Sequence, residues 1–221
     1  MSPTPADAPP VVEGDCLARL TNALTLLGGP PELVYLDPPF GAGGTRRARG
    51  DSGERARGEA AYGDSWGGVD QLLGMLEPRL VALRDALSPD GSLWLHLDHR
   101  AAHDAKVLAD RVFGRRRFRG EIVWVPGNGA RGKRLAVTHH TILVYSRGPA
   151  LVWNANDPVL REPHAKTSLA MHFHRLDEAG RAYREREIGG RRYRYYADEG
   201  RARGSVWDDC PAMVANSPLG A

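Results

Sequence analysis

The sequence predicts an α/β fold in which helices cover a mixed β-sheet. Between residues 11 and 147, short apolar runs alternate with longer segments whose leucines recur at helical spacing, and this alternation is typical of sheet-and-helix layers. The run Leu33–Leu36 is continuously apolar, as expected of a buried parallel strand. It leads into Asp37-Pro38-Pro39-Phe40, and ligands of open α/β sheets bind beyond the carboxyl ends of the strands. We therefore expect the functional site in this loop.

The first predicted helix precedes this strand. Apolar residues recur at helical spacing over Cys16–Leu27, at Leu17, Leu20, Leu24 and Leu27. The run from Gly28 to Pro31 contains two glycines and two prolines, which stop the helix. Together with the strand before residue 16, these elements predict a β-α-β unit that delivers Asp37 to the edge of the sheet.

Further helices and strands are predicted after residue 68. The clearest helix covers residues 69–87, where Pro78 is expected to kink or split it. Its apolar face consists of Leu72, Leu73, Leu76, Leu80, Leu83 and Leu87. The remaining predicted elements are a strand at 92–97, a helix at 101–113 and a strand pair at 122–125 and 141–145.

Composition limits the classes of protein that the chain can represent. Its 221 residues suffice for one domain with a substantial core. The 30 basic and 27 acidic residues give a pI near 9.0, which permits a polyanionic partner without requiring one. Arginine outnumbers lysine, which either serves bidentate phosphate or guanine contacts or reflects a GC-rich genome. Cys16 and Cys210 lie far apart, so neither a disulfide framework nor a zinc site is expected.

Targeting and membrane signals are not expected from this sequence. Residues 1–10 are polar and proline-rich, and we expect a flexible tail because a signal peptide has a basic start and an apolar centre. No apolar run approaches the length of a membrane span. We expect a cytoplasmic protein.

The chemistry of the loop at residues 37–40 suits the capture of a planar ring. Two consecutive prolines fix φ and remove two backbone donors, so the loop is stiff and its carbonyls are available as acceptors. Asp37 adds a carboxylate, and Phe40 adds an aromatic face. An exocyclic amino group offers two N–H bonds to such acceptors. These are the needs of an enzyme that modifies a base flipped out of a duplex.

Asp37-Pro38-Pro39-Phe40 resembles the catalytic motif of the amino-methylating DNA methyltransferases, which transfer a methyl group from S-adenosylmethionine to adenine N6 or cytosine N4. The flanking segments resemble the same family in the same order along the chain. They are Val11–Leu20 with its Gly14-Asp15 turn, Ala61–Trp66, Ser88–Asp98, residues 105–114 with Glu121–Trp124, Thr138–Ser146, and Val206–Asp209. The resemblance implies a Rossmann-like methyltransferase fold of the permuted, beta-class type, in which the catalytic half precedes the cofactor-binding half.

One part of the family's pattern is not found in this sequence. A segment like Gly-Tyr-Pro-Thr-Gln-Lys-Pro and a strand ending in Asp-Pro-Phe-x-Gly-Ser-Gly-Thr, the main S-adenosylmethionine loop, would follow Asp209 but are not found. Residues 40–45 are superficially similar to that loop, yet they are fused to the double proline and precede an arginine-rich segment. We therefore expect an incomplete fold: a truncated enzyme, or a catalytic half whose cofactor half lies on a second polypeptide. Association of two copies of the chain is another arrangement that would cover the exposed edge of its sheet.

Site roles carried over from the family fall on few residues. Asp37 and the Pro38 carbonyl would accept the two N–H bonds of the amine, Pro39 would fix the loop, and Phe40 would stack on the base. Asp15 lies near the cofactor's edge by resemblance, although a Gly-Asp turn is also ordinary loop chemistry. The adjacent histidines His139 and His140 are more typical of surface or capping residues than of substrate contacts. No metal site is predicted.

Contacts to DNA are expected from arginine-rich segments. The candidate residues are Arg115, Arg116, Arg131, Lys133 and Arg134. Residues 41–63 are predicted to be a long loop that either becomes ordered on DNA or remains solvated. Residues 148–205 mix Arg, His and Tyr in an irregular pattern and correspond to the family's target-recognition region, unless they are a solvated insertion. Residues 206–221 would lead toward the missing cofactor half.

These observations favour a site-specific DNA methyltransferase that uses S-adenosylmethionine and acts on double-stranded DNA. Adenine N6 is preferred over cytosine N4 because the motif begins with Asp rather than Ser, which is a family-level association. A catalytically inactive DNA-binding remnant is the main alternative. An unrelated α/β domain with a structural Pro-Pro turn explains the ordered flanks less well, and transfer to RNA is not excluded by the motif.

Overall fold

The computed structural model describes residues 11–40, 45–47, 60–63, 68–127 and 135–211, with the backbone alone described at 45–47 and 60–63. These residues divide into two compact units. The larger unit contains the described residues up to Val152 and from Ser205 onward, and the smaller unit is Trp153–Gly204. Among the described helices, none has the length and apolar character needed to cross a membrane.

Four α-helices and twelve strands lie in the described ranges. The helices are α1 (Cys16–Leu27), α2 (Val69–Ala86), α3 (Ala102–Phe113) and α4 (Lys166–His172). The strands are β1 (Leu33–Leu36), β2 (Thr45–Arg47), β3 (Ala60–Gly63), β4 (Ser92–Leu97), β5 (Phe118–Trp124), β6 (His140–Ser146), β7 (Arg161–Glu162), β8 (Arg175–Leu176), β9 (Ala182–Ile188), β10 (Arg191–Tyr196), β11 (Arg201–Ala202) and β12 (Val206–Trp207).

The larger unit is built on one five-stranded mixed sheet. Its strand order is β1-β4-β6-β5-β12. β1 pairs in parallel with β4, and β5 pairs in parallel with β12, whereas β6 is antiparallel to both of its neighbours. The carboxyl ends of β1, β4, β5 and β12 therefore lie at the same edge of the sheet as the start of β6. The predicted mixed sheet with covering helices is confirmed.

The core lies between one face of this sheet and helices α2 and α3. Leu93, Leu95 and Leu97 of β4 are buried against leucines of α2 and alanines of α3. Strand residues alternate between faces, so Trp94 and His96 point to the opposite side. That side carries a smaller apolar cluster of Ile122, Ile142 and Val144 packed by Trp94, Trp124 and Trp207. The alternation thus places His96 outside the leucine-rich core.

Helix α1 and strand β1 are much more exposed than the rest of the sheet. No residue of α1 is buried, and Leu33 and Tyr35 of β1 are about half exposed at 54% and 51%. Within the described residues, β1 pairs with β4 alone. An unpaired strand edge that presents apolar side chains is a surface that proteins normally cover.

The smaller unit contains a three-stranded antiparallel sheet of order β10-β9-β8, and β11 pairs separately with β7. Strands β9 and β10 form a hairpin whose turn, Gly189-Gly190, has φ values of 59° and 76°. Two-residue turns of this kind require positive φ at both positions, which glycine adopts without steric cost. The sequence pattern of residues 148–205 is irregular, but cross-strand ladders that the pattern did not predict order much of this segment.

Most predicted elements of the larger unit have their expected positions, but the predicted strand before residue 16 is wrong, since residues 11–15 form no strand. The helix over Cys16–Leu27 and the strand over residues 92–97 match the observed bounds, and α2 continues through Pro78 rather than ending there. The strand pair is longer than predicted, since β5 begins at Phe118 and β6 at His140. The expected loop over residues 41–63 also needs correction, because β2 and β3 pair within it.

Candidate active site

The carboxyl edge of the main sheet gathers polar and aromatic side chains from four strands. Asp37 follows β1, His96 lies near the end of β4, Trp124 ends β5, and His140 begins β6. Trp124 is the cross-strand partner of His140, and His96 is the partner of Ile142. The parallel pairing of β1 with β4 brings Asp37 alongside His96. The topology therefore assembles residues that are up to a hundred positions apart in the chain.

The loop after β1 is packed against the rest of the larger unit. Pro38 is buried, and Pro39 and Phe40 are partly buried. The carboxylate of Asp37 remains open, with 56% of its side chain exposed. A rigid, anchored backbone thus presents an accessible acceptor at the end of a strand.

A pair of histidines lies behind Asp37. His96 Nδ1 is 3.0 Å from Asp37 Oδ1, and the His96 side chain is only 7% exposed. On its other side, His96 Nε2 is 2.9 Å from His140 Nδ1. The two imidazole rings are stacked, with centroids 5.0 Å apart. These contacts join β6 to the loop after β1 through a continuous series of polar atoms.

Aromatic rings surround the histidine pair. Phe40 packs edge-on against both imidazoles, with centroid distances of 5.1 Å to His96 and 5.7 Å to His140. Trp124 does the same from β5, at 5.5 Å from each ring. The Trp124 indole N–H donates to the Cys210 carbonyl at 2.6 Å, which fixes its ring. Phe40 is therefore held against the two imidazole rings.

The electrostatics of this edge favour a neutral His140. Burial lowers the pKa of His140, and the nearby His96 and His139 add to the effect, whereas Asp98 and Asp37 oppose it. Asp98 is itself buried and accepts hydrogen bonds from the Arg100 backbone N–H at 3.0 Å and from Arg100 Nε at 2.7 Å. A neutral imidazole has one donor and one acceptor nitrogen, so it can extend a hydrogen-bonded chain in one direction.

Asp15 has a clear local role in the structure. It is the N-cap of α1, and its Oδ1 accepts from the amides of Leu17 at 2.9 Å and Ala18 at 3.4 Å. Its other oxygen forms an ion pair with Arg79 of α2. Desolvation opposes the shift, but the Arg79 and backbone hydrogen bonds outweigh it and lower the pKa of Asp15. The expected cofactor contact of this residue stays a prediction.

Arg115 and Arg116, the two predicted DNA-contacting residues that the structure describes, are separated from Asp37. Arg115 and Arg116 lie in a short 3₁₀ turn before Phe118, at the amino end of β5, whereas the candidate site is at its carboxyl end. Arg115 contacts Asp110 at 3.3 Å while its side chain stays 87% exposed. The structure does not bring these two arginines into the site. The other three candidates, Arg131, Lys133 and Arg134, lie outside the described residues.

The sequence analysis did not identify His96 as a site residue. A signal was present, since His96 is a polar residue in an otherwise apolar stretch of β4 and lies next to its carboxyl end. For His140, the prediction of a surface or capping role missed the contact with His96. That contact depends on the pairing of β6 with β4, which no local pattern specifies.

The described residues do not supply the glycine-rich cradle expected for S-adenosylmethionine. Two strand-to-helix turns are described in full, after β4 and after β7, and neither contains glycine. Phosphate- and nucleotide-type loops of α/β sheets use glycine there because the backbone must approach the ligand closely. Residues 41–44, which follow the loop of Asp37, lie outside the described ranges.

Comparisons with known proteins identify related sequences. Residues 32–216 match the family model described as DNA methylase. The chain is 30% identical over 163 residues to the type II methyltransferase M.EcaI of Enterobacter cloacae, a match that covers 72% of this chain and 33% of that protein. It is 23% identical over 169 residues to the type III restriction-modification enzyme EcoP15I Mod subunit of Escherichia coli, covering 66% of this chain and 26% of that protein.

A third relative and a solved structure extend the comparison. The type II methyltransferase M.KpnI of Klebsiella pneumoniae is 24% identical over 149 residues, covering 66% of this chain and 34% of that protein. The crystal structure of an M1.HpyAVI–SAM complex aligns with a TM-score of 0.42 at 12% identity, covering 68% of this chain and 59% of that chain. This chain matches about a third or less of the length of its curated relatives.

Proposed function

This chain belongs to the DNA methylase family, and we propose that it provides the base-binding and catalytic residues of an enzyme that methylates an exocyclic amine of double-stranded DNA. The methyl donor would be S-adenosylmethionine, as in the family that the sequence resembles. Adenine N6 is the proposed acceptor rather than cytosine N4, on the family-level association of Asp with that reaction. Such an enzyme fits a restriction-modification system, since the named relatives include a type III restriction-modification subunit.

The observation that carries this proposal is the open Asp37 carboxylate at the end of β1, next to the anchored Phe40 ring. A flipped base needs an aromatic face for its ring and acceptors for its amino group. Asp37 would accept one N–H, and the Pro38 carbonyl would accept the other. Phe40 would stack on the ring, and Pro39 would hold the loop rigid. All four residues belong to one short segment, so their spacing is fixed before the base arrives.

The proposed mechanism follows from the electronic structure of the amine. Its lone pair is delocalised into the ring, which makes the nitrogen a poor nucleophile. Two accepted hydrogen bonds draw the nitrogen toward tetrahedral geometry and expose the lone pair. The chain thereby contributes positioning and preorganised electrostatics. The sulfonium cofactor, when bound, supplies a reactive methyl group.

Identification of the methylated nucleoside tests this proposal. Duplex DNA treated with the complete or complemented enzyme and labelled S-adenosylmethionine would be digested to nucleosides and separated by chromatography with mass detection. N6-methyladenine is the expected product, and N4-methylcytosine would correct the choice of base. Binding of duplex DNA without transfer of any methyl group would favour the alternative, an inactive DNA-binding remnant.

The 221-residue chain is expected to bind S-adenosylmethionine weakly or not at all. The described strand-to-helix turns lack glycine. Within the described residues, one edge of β1 is unpaired, and a cofactor-bearing strand of a second polypeptide or a second copy would pair there. Calorimetric titration with S-adenosylmethionine measures the binding, and sedimentation reports the oligomeric state of the same sample. Low-micromolar binding by a monomer would contradict this expectation and would implicate another segment, such as residues 40–45.

The hairpin of β9 and β10 supports a DNA-contacting role for residues 148–205. One face carries Glu185 and Glu187 directly opposite Arg194 and Arg192, so its charges balance. Within that face, Arg194 Nε lies 3.3 Å from Glu185 Oε1. The other face of the hairpin contains arginines and tyrosines without any acidic residue: Arg184, Arg186, Arg191, Tyr193 and Tyr195.

On this second face, hereafter the Arg/Tyr face, some side chains contact aromatic rings and others are exposed. The guanidinium carbon of Arg184 lies 5.2 Å from the ring centre of Phe173 and 5.5 Å from that of Tyr195. Arg186, Arg191 and Tyr193 are exposed near the turn. No carboxylate of the described residues pairs with Arg186 or with Arg191. A two-stranded ribbon fits the major groove of duplex DNA, where arginine and tyrosine reach phosphates and base edges.

The double variant Arg186→Ala/Arg191→Ala is expected to weaken binding of duplex DNA. If each arginine neutralises one phosphate, the slope of log affinity against log salt should fall by about 0.9 for each, or about 1.8 together. Fluorescence anisotropy with labelled duplexes over a range of salt concentrations measures this slope. The control Arg192→Ala/Arg194→Ala removes the same charge from the balanced face. Equal losses in the two double variants would show that net charge, and not the Arg/Tyr face, is responsible.

A further inference from the structure

The side chains of Asp37, His96 and His140 lie in a series, with neighbouring polar atoms at hydrogen-bonding distance. His96 Nδ1 lies 3.0 Å from the Asp37 carboxylate, and His96 Nε2 lies 2.9 Å from His140 Nδ1. A carboxylate only accepts hydrogen bonds. A neutral His96 can donate to Asp37 only when it carries its proton on Nδ1, and its Nε2 is then an acceptor. It follows that His140 carries a proton on Nδ1 and donates it to His96.

Because His96 is buried, it matters which of its two ring nitrogens carries the proton. Its side chain is 7% exposed, whereas that of Asp37 is 56% exposed. His96 Nδ1 is buried and forms no hydrogen bond of good angle with any described residue. A buried donor without an acceptor is destabilising, so an Asp37 carboxylate that turns toward Nδ1 would stabilise it by accepting its hydrogen bond. Catalytic hydrogen bonds that are poorly aligned without substrate commonly tighten when the substrate binds.

A packing role alone does not account for the two imidazoles. On the same face of the sheet, Trp94 and the cross-strand partner Ile142 belong to an apolar cluster, so this face accommodates apolar side chains readily. A polar group in such a place is costly unless it is hydrogen-bonded. His96 Nε2 faces His140 Nδ1, and His96 Nδ1 faces Asp37. Phe40 and Trp124 pack against the edges of both rings and restrict their rotation.

We propose that His96 is a positioning residue for Asp37, that it acts by donating its Nδ1–H to the carboxylate, and that His140 fixes its tautomer. One oxygen of Asp37 is held by His96, and the other is directed toward the amino group of the flipped base. This role rests on the proposed methylation of an exocyclic amine, and it adds two residues to the motif at 37–40. Once aligned, this hydrogen bond holds the carboxylate in one orientation, which reduces the entropic cost of reaching the reactive geometry.

Nitrogen-detected NMR of the full 221-residue chain tests the tautomers without any need for methyl transfer. Both His96 and His140 are expected to carry their proton on Nδ1 when neutral. Asp37→Ala should shift the ring-nitrogen resonances of both histidines, because the acceptor at the end of the series is lost. The control Glu178→Ala removes an exposed carboxylate of the smaller unit and should shift neither. A neutral His96 protonated on Nε2 would overturn the proposal.

Substitutions of His96 separate positioning from packing. In asparagine, the amide N–H group occupies nearly the place of histidine Nδ1, so His96→Asn should retain most of the methyl-transfer rate. His96→Gln displaces the donor and should lower kcat about ten- to hundredfold, as expected from the loss of one charge-assisted hydrogen bond. Circular dichroism and thermal melting would verify that each variant is folded. Equal rates for the two variants, both folded, would overturn the positioning role.

His140→Asn provides a second, milder test, because the asparagine amide can also donate to His96 Nε2. It should preserve the Nδ1 tautomer of His96, whereas His140→Leu should not. If the unmodified enzyme methylates DNA but the tautomers contradict this pattern, the positioning proposal alone fails. If the tautomers agree but no methylated nucleoside forms, the proposed function fails instead.

Discussion

Replacing Asp37 with alanine is expected to abolish methyl transfer while the protein remains folded. The carboxylate would accept a hydrogen bond that matters mainly in the transition state, so its loss should lower kcat rather than weaken binding of DNA. Removal of one preorganised polar group from an active site commonly lowers the rate about 10²- to 10³-fold. Incorporation of tritiated methyl groups into duplex DNA by an active preparation of the enzyme measures the effect.

Stability should change little in this variant because the Asp37 side chain is 56% exposed. Thermal melting of the variant and of the parent protein would verify this. Asp104→Ala is a suitable control, since it removes another exposed carboxylate, at the start of α3, outside the candidate site. Activity of the Asp37→Ala enzyme within a few-fold of the parent would refute the assignment of Asp37.

Phe40→Ala is expected to weaken binding of the flipped base, whereas Phe40→Tyr and Phe40→Trp should keep substantial activity. Any of the three aromatic rings can stack on a base, and such stacking contributes roughly 1–3 kcal/mol. The loss corresponds to about 5- to 150-fold in affinity. A fluorescent base analogue placed at the target position reports how much of the base is extrahelical in each variant.

The two aromatic variants serve as controls for packing, because Phe40 also contacts His96 and His140. A loss in the alanine variant alone would support stacking. An unchanged analogue signal in Phe40→Ala would count against it. Equal losses in all three variants would indicate that the exact shape of phenylalanine against the histidine pair matters more than a stacking surface.

Local patterns predicted the elements of the larger unit well. The leucines of α2 and the apolar run of β4 are buried as their spacing indicates, since strand and helix periodicities reflect burial directly. Residues 148–205 were set apart as a distinct region, but the strands of the smaller unit were not predicted. Strands β9 and β10 are rich in arginine and tyrosine, and cross-strand ion pairs and cation–π contacts stabilise them instead of an apolar face.

The sequence predicts only part of the candidate site, because only some of its residues are neighbours in the chain. Asp37 and Phe40 belong to one short segment, so sequence alone places them together. His96 and His140 are 44 positions apart, and they meet because β6 pairs antiparallel with β4 in a particular register. Such a register depends on the whole sheet, and a shift by one residue would turn His140 to the opposite face.

A crystal structure of the enzyme with duplex DNA and a non-reactive cofactor analogue would show directly which residues hold the target base. We expect an extrahelical adenine whose N6 lies about 2.7–3.2 Å from Asp37 Oδ and from the Pro38 carbonyl oxygen, with its ring against Phe40. A target base that remains stacked in the duplex, or whose amino group is held by other residues, would contradict it.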